Sequence, residues 1–155
     1  MGIEHEYVNP IPDQVARKSI TFAGGTTHAI GDHDGSGDPA TVFTVTGRVH
    51  AEIVAICTTN LAFDTNATIE LGIVGNTACI IEQTDLTVEA MIAEEIWHDA
   101  TPDSEFELWS VAKDCILTDG NDVILTVGTA NVNSGVILFV CIWTPLSAGA
   151  SVVAA

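Results

Sequence analysis

The residues with the most chemical potential lie in GDHDGSGDP, residues 31–39, where Asp32, Asp34, Ser36 and Asp38 alternate as oxygen donors around Gly35 and Gly37. Alternating hard oxygen donors are what a calcium ion requires. A helix–loop–helix calcium loop also needs glycine at its sixth position and a bidentate glutamate at its twelfth. Counted from Asp32, Gly37 meets the first condition, but the twelfth residue is Phe43, which cannot ligate, and the residues after it read as strand. A sandwich-type calcium loop built from Asp32, Asp34 and Asp38 with backbone carbonyls stays open. The plainer reading is an exposed turn in which Asp and Gly supply turn geometry and solubility. We expect the turn, with no obligatory metal and no cofactor.

Other groups offer less. The five histidines, His5, His28, His33, His50 and His98, are scattered and form no H-E-x-x-H motif. His98-Asp99 beside Trp97 could be drawn as a base and its orienter, but no G-x-S-x-G and no activated cysteine accompanies it. Glu94-Glu95 and Glu105/Glu107 are carboxylate pairs of the kind a glycosidase uses, and equally of the kind a solvated strand face carries. AGGTTHAIG lacks the lysine and the strand-to-helix setting of a phosphate loop. Trp97, Trp109 and Trp143 are spread over separate segments, which fits core packing better than a sugar-stacking platform. No catalytic residue is assigned, and the chain is expected not to be an enzyme.

The segments that must position these residues read as strands. TVFTVTG (residues 41–47) and VHAEIVAIC (residues 49–57) alternate or run apolar over strand length, then stop at turn residues. ATIELGIVGNTACIIEQ reads as two strands around a Gly75-Asn76 turn. EFELWSVAKDCIL alternates, and DVILTVGTANVNSGVILFVCIW reads as strand, turn, strand. About eight short strands at regular spacing predict an all-β single-domain sandwich or jelly-roll-like barrel. LTVEAMIAEEIW (residues 86–97) allows a helical turn or an irregular loop before Pro102. The expected organisation is an extended N-terminal arm at residues 1–17, with Pro10 and Pro12, the sandwich at 18–146, and a C-terminal tail at 147–155. The arm and the tail, SAGASVVAA, look like segments that order against a neighbouring copy.

Composition narrows the partners. Across 155 residues, 21 Asp and Glu face only Arg17, Lys18, Arg48 and Lys113, a net charge of −17. Nucleic acid and anionic membranes are repelled by such a surface. With 47% hydrophobic and 16% charged residues a packed core is expected. The start of the chain has neither the basic nor the apolar region of a signal peptide, so synthesis in a reducing cytoplasm is expected. Cys57, Cys79, Cys115 and Cys141 sit in apolar runs without C-x-x-C spacing, which excludes a zinc site by spacing and favours buried free thiols over disulfides.

The stretches AEEIWHDATPDSEFELWS and DVILTVGTANVNSGVILFVCIWTPLS resemble small acidic virion proteins encoded beside capsid genes in tailed bacteriophages. The likeness covers residues 40–148 and carries no catalytic residues with it. It implies a capsid decoration (cement) or similar virion structural role, usually carried by a β-rich homotrimer; the acidity then leads us to expect binding to the major capsid protein lattice on the outer capsid surface. The alternatives are a carbohydrate- or calcium-binding β-sandwich used in attachment, an enzyme with an unrecognised carboxylate site, and a soluble domain adapted to high salt.

Overall fold

A period of two in burial builds the strands. In Val132–Pro145, Val132, Ile137, Phe139, Cys141 and Trp143 are buried while the residues between them from 136 to 144 are half-covered. That is the pattern of a sheet with one face on a core. The computed structural model describes residues 14–34, 38–88, 90–98 and 115–155. Among these it contains no helix and ten strands: β1 (Gln14–Phe22), β2 (Ala40–Thr46), β3 (Arg48–Phe63), β4 (Thr68–Ile73), β5 (Asn76–Asp85), β6 (Ile96–Trp97), β7 (Cys115–Thr118), β8 (Val123–Gly128), β9 (Val132–Pro145) and β10 (Ser151–Ala154).

The strands form two antiparallel sheets. Sheet A runs β1-β9-β3-β6, with β7 paired to another part of β3, and sheet B runs β10-β2-β8-β4-β5. The long pair β3 and β9 is the spine of sheet A, in register from Val49↔Pro145 to Phe63↔Val132 with irregularities after Cys57. Phe43, Val45, Ile69, Leu71 and Leu125 of sheet B join Ile20, Phe22, Val49, Ile137 and Phe139 of sheet A in one core. The architecture is the expected all-β sandwich. The chain crosses from sheet B to sheet A at Gly47, whose φ is 68° and where a Cβ would lie 2.8 Å from Ser147 Oγ. Only glycine meets both conditions.

Both ends differ from expectation. Residues 151–154 are not a free tail: β10 pairs with β2 from Ser151↔Thr46 to Ala154↔Phe43, and Val152 is buried in the core. Residues 14–17, placed in the arm, are the first half of β1, paired with β9 from Gln14↔Trp143 onward. Arg17 and Lys18 are therefore sheet residues. Lys18 Nζ donates to the Ala155 carbonyl, closing the gap where the β1 edge faces β10. Residues 1–13 of the arm lie outside the described residues.

Local turns follow the sequence more closely. The β4–β5 turn is Val74-Gly75, one residue earlier than Gly75-Asn76, with Gly75 at φ 87° and Ile73 paired to Asn76. Residues 86–88 and 90–95 are irregular with two turns, so the segment that allowed a short helix is a loop where it is described. Of EFELWSVAKDCIL only residues 115–117 are described, as part of β7.

Candidate functional site

Two places gather polar chemistry. The first is one end of the sandwich, where the β1–β2 connection meets the β8–β9 connection. Gly24 N donates to Val132 O at 2.9 Å and Val132 N to Gly31 O at 2.9 Å. A Cβ on Gly24 would lie 2.2 Å from Gly31 O, so backbone packs directly on backbone there. The turn thus fastened carries Asp32, His33 and Asp34, whose ligand atoms lie within 4.8 Å of one another.

Their hydrogen bonds show what they do. Asp32 is only 7% exposed, which corrects the expectation of a wholly exposed turn. Its Oδ2 accepts from His28 N at 2.9 Å, holding a residue with φ 66°. That bond holds the Asp32 carboxyl below the usual carboxylate range, reinforced by Asp34 and His33 against the opposing effect of burial. Asn131 Oδ1 accepts from His33 N at 3.0 Å and lies 2.8 Å from His33 Nδ1, which places the ring proton on Nδ1. Asp64 receives Asn133 Nδ2 at 2.8 Å, and its own N donates to Asn131 O at 2.9 Å. These groups tie three connections together.

Asp38 does not join that trio. Its Oδ1 accepts from Val127 N at 2.7 Å, and burial pushes its carboxyl above the usual range, against the pull of that N–H. β2 pairs with β8 only from Ala40↔Leu125 onward, so the Asp38 carboxylate takes up an N–H that lies past the start of β2. Asp122 does the same at the other end, accepting from Val45 N at 2.9 Å. The alternative calcium set of Asp32, Asp34 and Asp38 is divided: two lie together and the third caps a strand. Ser36 lies outside the described residues.

The second place is a cleft of about 490 Å³ between the β5 and β6 edges, lined by Ile69, Leu86, Met91, Glu95, Ile96 and Trp97. A second hollow of about 420 Å³ adjoins it, with Glu82, Asp85 and His98 on its rim. Trp97 Nε1 donates to Thr84 Oγ1 at 2.9 Å, joining the two edges, and its ring meets Phe139 edge-on at 6.4 Å. The Glu95 carboxylate accepts from Ile92 N at 2.8 Å, and Glu94, at φ 77°, bonds back to Cys57 O through its N. The Glu94-Glu95 pair thus shapes a turn. Sequence reasoning missed this cleft because its walls come from residues 69 and 84–98 on two different sheets. Asp99, Glu105, Glu107 and Trp109 lie outside the described residues, while Trp143 is in the core.

The four cysteines are free thiols. Cys57 and Cys141 are buried as expected, Cys115 is half-buried, and Cys79 on β5 is exposed. Burial, with Cys115 nearby, pushes the Cys141 thiol up to about 12, so it packs as a small apolar group. No helix among the described residues is long and apolar enough to cross a membrane. Compared with protein-family models, curated proteins and solved structures, the chain matches none.

Proposed function

We propose that the protein is a non-enzymatic structural component of a virion, a capsid decoration protein made in the host cytoplasm and carried on the outer capsid surface. The observation that carries this reading is the use of carboxylates as fasteners. Asp32, Asp38, Asp122, Asp85 and Glu95 each accept a backbone N–H. Caps of this kind hold loops in one geometry, which suits a rigid docking module. The strand order supports the jelly-roll part of the expectation: setting β7 and β10 aside, 1-9-3-6 faces 2-8-4-5. The net charge of −17 favours an outward position over one against packaged nucleic acid. The resemblance of residues 40–148 to acidic virion proteins points the same way.

The expected homotrimer drew on a C-terminal tail lacking a partner, and β10 removes that argument. The experiment is cosedimentation with capsids stripped of their decoration, read by electron microscopy. The intact chain should bind at saturable occupancy, and a variant lacking residues 1–13 should fold and bind poorly. A failure of the intact chain to bind overturns the reading.

One observation favours an attachment module instead. The cleft beside Trp97 has an apolar floor and carries Glu82, Asp85 and Glu95 on its walls and rim. Saturable glycan binding lost in Trp97→Ala would select that alternative.

A further inference from the structure

The outer face of an antiparallel sandwich is ordinarily polar, because it meets water. Sheet B follows this rule for the most part, with Thr41, Thr44, Thr46, Glu70, Thr126 and Gln83 on its outer face beside the isolated apolar residues Ile124 and Val153. Sheet A does not. The register puts Val136, Leu138, Val140 and Ile142 of β9 on the side away from the core, beside Val54 and Ile56 of β3. Val15 and Ile96 extend the stripe onto the neighbouring strands and are 44 and 57% exposed, and Ile116, 64% exposed, lies on the same face beside His50. A contiguous apolar face of this kind marks an interaction surface.

We propose that this face is where a second copy of the chain binds, sheet A against sheet A. Charge chooses the occupant. In a chain of net charge −17, Glu52 is the single carboxylate among the described strand residues of this face, whereas Arg17 and Arg48, two of the four Lys and Arg residues, both lie on it. A cationic partner would be drawn to the acidic remainder of the surface. Clearing carboxylates from one face is what contact between two like-charged copies requires. The few charges left are also self-complementary. Arg17 lies on β1 and Glu52 on β3, on opposite sides of β9. A copy turned over about an axis along β9 sets its β3 above the first copy's β1, so Glu52 of each approaches Arg17 of the other.

The size is adequate. Three strands about 4.8 Å apart and roughly nine residues long at about 3.3 Å each, with the short β6 and β7 beside them, give about 500 Å² per copy. Two copies then bury about 1,000 Å², the area a specific interface has to reach. The contact concerns the isolated protein and does not depend on a capsid.

Sedimentation velocity across the micromolar range tests it. The wild-type protein should shift from the chain mass to twice that mass with rising concentration. Val140→Asp, which adds a carboxylate to the centre, should weaken association by at least about tenfold. Should Val140→Asp fail to fold, as judged by circular dichroism, Val15→Asp on the exposed edge strand serves in its place. Arg17→Glu and Glu52→Arg should each weaken the dimer, and the double exchange should restore it, which a purely structural role for either residue would not do. A wild type that stays monomeric at high micromolar concentration overturns the proposal. So does a dimer that Val140→Asp and Val15→Asp both leave unchanged. Dimerisation appearing only after removal of residues 1–13 would assign the face to the chain's own N-terminal segment, and equally overturns it.

Discussion

At the residue scale, Asp32 and Asp38 look alike in the sequence and titrate in opposite directions. The Asp38 carboxyl is raised above the ordinary range mainly by burial. A raised acid stabilises the fold when protonated, so its favourable contribution is present below the unfolded value near 3.9 and is lost as pH rises through the folded value. Asn keeps an acceptor for Val127 N without a buried charge. Asp38→Asn should therefore match the wild type in acid and melt higher at neutral pH, whereas Asp38→Ala, which orphans Val127 N, should cost about 1–3 kcal/mol. Thermal melts of the three proteins across pH check this, and an Asn variant that melts lower at neutral pH would refute it. Asp32 is held low by His28 N, so its contribution is present above the unfolded value and lost as pH falls through the folded one. Asp32→Asn should lose stability at neutral pH and converge with the wild type in acid. The sequence showed an aspartate-rich turn. It could not show which carboxylate meets which amide, because Val127 is 89 residues from Asp38.

At the scale of the element, strands that alternate or run apolar throughout were legible, and those whose pattern is interrupted were not. VHAEIVAIC and GVILFVCIW carry apolar residues at nearly every position, because the inner face of sheet A meets the core and the outer face is apolar too. In β1 the inward series is Ala16, Lys18, Ile20, Phe22, and a lysine at an inward position hides the period. It is tolerated because it sits at the sandwich edge and reaches the Ala155 carbonyl. β10 is four residues long and only Val152 among them is buried, too little pattern to read as a strand. Its contribution is nonetheless structural. Removing residues 151–155 uncovers the β2 edge and the part of the core that Val152 covers, and should cost about 2–3 kcal/mol, counting one buried valine and the lost ladder. Urea unfolding measures this directly, and an unchanged midpoint would return these residues to the status of a tail.

For the whole molecule, the balance lies between a well-filled core and a surface that repels itself. The two sheets bury Phe43, Phe139, Ile69, Leu71 and Leu125 almost completely, while the 21 acidic residues oppose compaction at neutral pH. Salt separates the two effects, because screening shortens the reach of repulsion from about 10 Å at 0.1 M to about 3 Å at 1 M and hardly touches buried apolar contacts. Both folding and the contact between sheet A faces should therefore strengthen with added sodium chloride. An interface held chiefly by ion pairs would instead weaken as salt rises. The Arg17–Glu52 pairs alone would push in that direction, but each is exposed and contributes about 0–1 kcal/mol, against repulsion between two copies each carrying −17. Repulsion should dominate. Sedimentation at low and high salt, run beside thermal melts, should show the melting temperature and the dimer fraction rising together. A dimer that dissociates as the melting temperature climbs would mean that charge attraction, and not the apolar stripe along β9, brings the copies together.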